Sequence, residues 1–293
     1  MFKGSIPALV TPMQGDGAID FTAWDALLEF HAREGSDGVV VGGTTGESPV
    51  LDRGELEQLI RSAKARLAGR MPVIAGSGTN GTAKSVALSR AAEAACADAL
   101  LVVVPYYNKP TQEGLFRHFT AIADAVGIPV ILYNVPGRTA CDLLPETIVR
   151  LSRHPRIVGV KEATGDLTRA RPILEGSKPG FLLLSGDDPT ARQLMRNGGR
   201  GVISVTANVA ARSMHELCAA ALAGRHDEAA AIDARLAPLH KALFVEPNPI
   251  PVKWAVQRMG LIGPGIRLPL TPLSESKRTG VEAAMRSAGV ALP

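Results

Sequence analysis

Nine lysines occur in the chain, at positions 3, 64, 84, 109, 161, 178, 241, 253 and 277, and only Lys161 directly continues an apolar run, Ile157-Val158-Gly159-Val160. An amine at the end of a buried strand is partly desolvated. Desolvation disfavours an ammonium, and a free amine is the form that attacks a carbonyl to make a Schiff base. A lysine in that place can also be structural, salt-bridged to Glu162 or to another carboxylate. Tyr133 ends the neighbouring run Pro129–Tyr133. Its phenol can reach the same place, where a carbinolamine needs a group to shuttle protons; the plain alternative is a core tyrosine with a satisfied hydroxyl. Thr44 and Thr45 are flanked by Gly42, Gly43 and Gly46. Such a loop lets backbone N–H groups approach an anion, with hydroxyls to bind a carboxylate or pass a proton. It can equally be a tight turn in which the threonines cap a helix.

Other patterns suggest chemistry and do not sustain it. Gly76-Ser77-Gly78-Thr79-Asn80-Gly81 matches GxGxxG between a strand and a helix, as a dinucleotide fingerprint should. The partner acid is misplaced, however: Asp98 begins the next strand, whereas a ribose-binding carboxylate belongs at a strand's carboxyl end. Asp187-Asp188 could hold Mg²⁺, but Asp188 before Pro189 reads better as a helix N-cap with Pro at the first helical position. The six histidines show no HxH or HExxH spacing, and Cys96, Cys141 and Cys218 are scattered, with no CxxC. Neither a metal site nor a disulfide framework is expected.

The elements that must position these groups are eight short apolar runs: Ile6–Val10, Gly38–Val41, Pro72–Ala75, Ala99–Val104, Pro129–Tyr133, Ile157–Val160, Phe181–Leu184 and Gly201–Ser204. Between them lie segments of helical period such as Phe21–Arg33, Asp52–Leu67, Ala83–Ala95 and Gln112–Val126. Runs apolar throughout are what strands covered on both faces look like, and the alternation predicts an α/β protein, a (β/α)8 TIM barrel over 1–206. Residues 207–293 lack convincing strands. They are predicted to form a C-terminal helical extension, with helices near Ser213–Ala223 and His226–Leu239 and a Pro-rich stretch Val245–Pro251, packed on the barrel or on another subunit. In such barrels reactive groups gather at the carboxyl ends of the strands, where Lys161, Tyr133 and Thr44-Thr45 all fall.

With 293 residues, 46% hydrophobic and 20% charged, the chain can bury a large core. Its 32 basic against 28 acidic residues leave only +4, scattered, which argues against a nucleic-acid partner and suits small anions. No apolar stretch approaches the ~18 residues of a membrane span, and the N-terminal run broken by Pro7 and Pro12 is too brief for a signal peptide, so a cytoplasmic location is expected.

Gly43-Thr44-Thr45-Gly46-Glu47-Ser48, Pro105-Tyr106-Tyr107-Asn108, Tyr133-Asn134-Val135-Pro136 with Arg138-Thr139, Val160-Lys161-Glu162-Ala163-Thr164 and Gly201-Val202-Ile203-Ser204-Val205 together resemble the dihydrodipicolinate synthase (4-hydroxy-tetrahydrodipicolinate synthase) family. The likeness spans nearly the whole chain. The first and fourth motifs in looser form mark the broader pyruvate-dependent class I aldolases; Arg138 is the more discriminating feature. The resemblance implies that Lys161 forms the imine with pyruvate, that Thr45 and its loop amides hold the pyruvate carboxylate, and that Tyr133, Thr44 and Tyr107 relay protons. It implies that Tyr107 serves a neighbouring subunit, in a homotetramer of two dimers. Arg138 would receive the carboxylate of L-aspartate 4-semialdehyde, and Gly186 and Ile203 would line the pocket through their backbones. No cofactor or metal is implied. A different pyruvate lyase or aldolase of the group, or a non-catalytic ligand-binding barrel, are the rival readings.

In lysine-inhibited members of that family L-lysine binds beside the tyrosine matching Tyr106. The corresponding positions here are Ser48, Pro49, Leu51, Arg53, Leu56, Asn80, Lys84 and Tyr106. Ser48, Asn80 and Tyr106 are retained. Arg53 and Leu56 stand where the inhibited bacterial pattern has histidines, Lys84 where it has a glutamate that receives lysine's α-ammonium, and Pro49 where it has a small residue. The expectation is an enzyme insensitive or only weakly sensitive to L-lysine.

Overall fold

The structure is a computed structural model and describes residues 2–293. Eight strands, β1 Gly4–Pro7, β2 Val39–Val41, β3 Val73–Gly76, β4 Ala99–Val103, β5 Val130–Asn134, β6 Ile157–Glu162, β7 Leu182–Ser185 and β8 Gly201–Ser204, pair in parallel in the order β1-β8-β7-β6-β5-β4-β3-β2. The two ends meet where Ala8 bridges Val40 and the Leu9 N–H donates to the Val40 carbonyl at 3.0 Å, which closes the sheet into a (β/α)8 barrel. Seven strands lie within two residues of the apolar runs at both ends, and β1 stops at Pro7, three residues short of Val10. β6 runs on through Lys161 and Glu162, because a polar residue at a strand's end keeps its ladder bonds while its side chain turns to the barrel mouth.

Alternation along each strand makes two cores. Ile6, Val40, Ile74, Leu101, Ile131 and Leu184 fill the barrel interior, whereas Val39, Leu100, Leu132, Val160 and Leu183 face the helices. The helices carry matching stripes and local stop signals. Helix Phe21–Arg33 buries Trp24, Leu27, Leu28 and His31, and its N-cap Asp20 accepts the Ala23 N–H. Helix Arg53–Leu67 opens with a reciprocal Asp52–Glu55 capping box.

Helix Ala211–Leu222 packs against β1, β8 and helix Asp188–Arg196, the place of the barrel's eighth helix. Helix His226–Ala242 then leads to Ile250–Arg258 and Glu275–Ser287, which carry the helical character of the C-terminal region beyond the two predicted segments. The Pro-rich stretch is in part a helix start, since Pro249 and Pro251 occupy the cap and first turn of Ile250–Arg258, where a missing N–H is harmless. No helix among the described residues is long and apolar enough to cross a membrane.

The cap predicted at Asp188 falls one residue earlier. Asp187 is the N-cap of helix Asp188–Arg196. The buried Asp188 carboxylate turns instead to the end of β8, where it accepts from Ser204 Oγ at 2.5 Å and from the Val205 and Thr206 N–H groups at 3.0 and 2.9 Å. Those donors satisfy the acid, and among the described residues no three His, Cys, Asp or Glu side chains gather as metal ligands.

Candidate active site

Tyr133 of β5 and Lys161 of β6 are directly paired across the ladder, so both point into the barrel. Lys161 Nζ lies 4.2 Å from the centre of the Tyr133 ring. The lysine is 6% exposed, and no ion pair among the described residues includes it. Its neighbour Glu162 points to the opposite face, where it meets Arg169 Nε at 3.1 Å and Asn134 Nδ2 at 3.3 Å. The structural reading, a lysine tied to Glu162, is therefore set aside by strand parity. What remains is a buried lysine with no carboxylate partner among the described residues, beside a phenol and within reach of a small cavity.

Gly186, one residue past β7, closes the wall beside it. A Cβ built there would stand 2.8 Å from Lys161 Cε and 2.5 Å from Ala163 Cβ, so only glycine leaves the lysine its place. Together with Thr44, Thr45 and Arg138 these residues line a cavity of about 120 Å³. A buried amine, a phenol and hydroxyls around so small a space can form an imine and move its protons.

The threonine loop is held by residues that sequence reasoning missed. Thr45 Oγ1 accepts a 3.0 Å bond from Asn248 Nδ2, and the Asn248 carbonyl accepts from Arg138 Nη2 at 3.2 Å. Glu47 sits in left-handed backbone, φ 60°, with its carboxylate fully buried. That carboxylate pairs with Lys253 Nζ and accepts the Arg267 N–H at 3.0 Å. Burial pulls the Lys253 ammonium below its ordinary range, against the opposing pull of Glu47. The sequence carried one signal for this contact: an acid inside a Gly-rich loop and a lysine within the otherwise apolar run Ile250–Val256, each asking for a partner.

Other candidate residues are placed elsewhere. Tyr107 is 88% exposed, at φ 75°, and does not line the cavity. Ile203 belongs to the barrel-interior cluster with Tyr133 and Leu184, and is not a lining residue of the cavity. Ser48, Pro49, Leu51, Leu56, Lys84 and Tyr106 line a larger cleft of about 570 Å³, which shares Thr44 and Arg138 with the cavity. Arg53 turns away to pair with Glu57 at 2.7 Å, and the Asn80 carbonyl accepts from Asn108 Nδ2 at 2.8 Å. Two of the GxGxxG glycines serve packing: a Cβ on Gly76 would meet Gly42 O at 2.1 Å and one on Gly78 would meet Val103 N at 2.4 Å, so the loop lies directly on β4.

A closed parallel barrel with an unpaired lysine beside a tyrosine at the carboxyl ends of its strands is the architecture of a class I, imine-forming aldolase. Within that class the chain belongs to the dihydrodipicolinate synthetase family, whose model matches residues 1–288. It is 57% identical over 290 residues to the 4-hydroxy-tetrahydrodipicolinate synthase of Stutzerimonas stutzeri, covering 99% of both chains. Its fold matches the chloride-inhibited dihydrodipicolinate synthase of Acinetobacter baumannii complexed with pyruvate, with a TM-score of 0.97 and 48% identity over 99% of this chain and 100% of that one. The enzyme from Cyanidioschyzon merolae, solved with lysine bound, gives 0.95 and 39% over 99% of each.

Proposed function

We propose that the protein is a 4-hydroxy-tetrahydrodipicolinate synthase, condensing pyruvate with L-aspartate 4-semialdehyde in lysine and diaminopimelate biosynthesis. The observation that carries this reading is Lys161, buried without a carboxylate partner and in register with Tyr133; the names of the relatives support it. Lys161 attacks the ketone of pyruvate, whose carboxylate lies against Thr45 and its loop amides. Water leaves through the carbinolamine with Tyr133, Thr44 and Tyr107 moving the protons. The protonated imine serves as the electron sink while a methyl proton is lost to the hydroxyl relay, and the resulting enamine adds to the aldehyde, whose distal carboxylate is received by Arg138 as a charge-assisted pair. The substrate's own amine then displaces Lys161 by transimination and closes the ring. Gly186 contributes backbone at the wall behind the imine, and Ile203 supports it from the barrel-interior cluster.

Tyr107 acts in the site of a second subunit. A non-glycine residue at positive φ is strained, and strain kept at an exposed aromatic side chain supports a role outside its own subunit. The working form is thus at least a dimer, assembled as a tetramer of two dimers, in the cytoplasm, with residues 207–293 as the helical region, whose first helix Ala211–Leu222 completes the barrel and whose later helices dock on it. Of the eight positions that match the family's lysine site, the six that line the larger cleft, Lys84 above all, support weak sensitivity, or none, to L-lysine.

The deciding experiment is to incubate with pyruvate, reduce with borohydride and map the adduct by mass. The expected result is a reduced pyruvyl group on Lys161 and near-complete loss of turnover in Lys161→Ala; an adduct on another lysine overturns the assignment.

A further inference from the structure

Strand β6 reaches Lys161 by an irregular route. Val130 pairs with Ile157 and Ile131 with Gly159, so one step of β5 is matched by two of β6, and Val158 is a bulge. Ile157 and Val160 face the helices, while Val158 packs against the barrel-interior cluster and Gly159 stands in register with Ile131 and Leu182 on that same side. Two consecutive residues look inward, and the parity of everything after them is reversed. Pairing without the bulge would set Tyr133 opposite Val160 and turn Lys161 to the outer face beside Asn134, since a slip of one residue moves each side chain to the other face. Gly159 lets the bulge form, because a Cβ there would stand 2.6 Å from the Leu182 carbonyl oxygen. An unpaired extra residue weakens the ladder locally, so the strand beyond it needs a further hold.

We propose that Arg169 is a positioning residue that holds β6 in its bulged register and so aims Lys161 into the cavity. The inference rests on the reading of Lys161 as the imine-forming amine. Asn134 and Glu162 form the rung directly after Tyr133 and Lys161, and their side chains meet on the outer face. Asn134 Nδ2 also donates to Asp142 Oδ1 at 2.7 Å. Arg169, at the end of the short turn Leu167–Arg169, donates from Nε to Glu162 Oε2 at 3.1 Å and from Nη1 and Nη2 to the two Asp142 oxygens at 3.0 and 3.2 Å. Its Nη2 reaches the Leu143 carbonyl as well, at 2.7 Å. One planar fork therefore ties the end of β6 to the loop that follows β5, a span that a point charge could not bridge. The Glu162 and Arg169 side chains are 3% and 11% exposed, so water does little to loosen the tie. A slip of one residue would send the Glu162 carboxylate into the barrel and leave it buried without its cation, which the fork makes costly. Arg169 lines neither the cavity nor the larger cleft, so its influence on the chemistry runs through the strand.

The test follows imine formation in the full-length wild type, Arg169→Met and Arg169→Lys. Each is mixed with pyruvate and quenched with borohydride at intervals, and the adduct on Lys161 is counted by mass. The endpoint gives the fraction of sites that can react, and the time course gives the rate constant per reactive site. Without the fork the last rungs fray, so every site still reacts but its amine is aimed for only part of the time. Arg169→Met is expected to lower the rate constant per site at least about tenfold, or ~1.4 kcal/mol of barrier. The pyruvate concentration for half-maximal rate should stay as in wild type, because the pyruvate carboxylate is held on the loop after β2, away from the fork. Arg169→Lys keeps the charge but cannot span both carboxylates, so an intermediate rate constant is expected, and it carries the test if Arg169→Met does not fold. Fewer reactive sites at an unchanged rate constant would make Arg169 a brace for the fold alone and overturn the proposal. A raised half-maximal pyruvate concentration would place its effect on the threonine loop and overturn it as well. A wild-type adduct on another lysine would instead remove Lys161 from the chemistry, and this positioning role with it.

Discussion

Replacing Gly186 by alanine tests the lysine's placement with a single methyl group. Gly186 is not in left-handed backbone, so the change strains nothing along the chain, and its effect is steric. The new Cβ would stand 2.5 Å from Ala163 Cβ and 2.8 and 3.0 Å from Lys161 Cε and Cγ, whereas carbon atoms settle at roughly 3.5–4.0 Å. About 1 Å must be recovered. Ala163 cannot yield easily, since its N–H is bonded to the Asn134 carbonyl at 2.9 Å, and Gly186 is itself tied to the Glu162 carbonyl at 2.8 Å. The flexible partner is the Lys161 side chain, so its amine moves by about that distance away from the carbonyl it must attack. A displacement of ~1 Å from near-attack geometry costs on the order of a hundredfold in rate. Overpacking costs only about 1–3 kcal/mol, which leaves the chain folded. The assay is the rate of pyruvate-dependent borohydride trapping at Lys161, with a thermal melt as control. Trapping within about threefold of wild type, or ~0.7 kcal/mol of barrier, in a folded variant would show that the lysine's position is not what limits imine formation.

Arg138→Ala should impair use of aspartate semialdehyde by about 2–5 kcal/mol while pyruvate trapping continues; equal damage to both would refute the arginine's role. Initial rates should stay flat as L-lysine rises. The Lys84 ammonium in the cleft opposes a second cation by roughly 1–4 kcal/mol at ~4 Å, and inhibition near ~0.1 mM, or about −5.5 kcal/mol of binding, would refute this. Burial holds His31 down at about 3 and His118 at about 4, from 6.5. Below pH 6.5 the unfolded chain therefore takes protons that the folded one refuses, and stability should fall by about 1.4 kcal/mol per pH unit per histidine as pH drops from 6.5 to 4. Urea midpoints measured across that window check it: His31→Gln should flatten the slope, and no change in slope would contradict it.

The barrel was legible because β-strands covered on both faces must be apolar at every position, and Val39–Val41 or Leu182–Leu184 admit little else. Lys161 was legible because it interrupts such a pattern. Helices Ile250–Arg258 and Glu275–Ser287 were not: the first begins among prolines, and the second shows only Val281, Ala284 and Met285 on its buried face. Asn248 and the Glu47–Lys253 pair were hidden for a different reason. Their contacts span 203 and 206 residues, and no local period records a partner so distant. Tyr107 was read from its motif alone, and its exposure carries a physical sign that the motif does not.

The long span of those contacts also sets a timetable. The glycine-rich loop and its Glu47 leave the ribosome early, while Lys253, 206 residues later, follows at about 5–20 residues per second, a wait of some ~10–40 s. Until then the Glu47 carboxylate has no cation to meet, and Thr45 lacks the amide that orients it. The strand of Lys161 is translated well inside that interval. A nascent chain stalled before Lys253 would hold Lys161 with an unfastened loop beside it, so the finished cavity arrives with the chain's later segments.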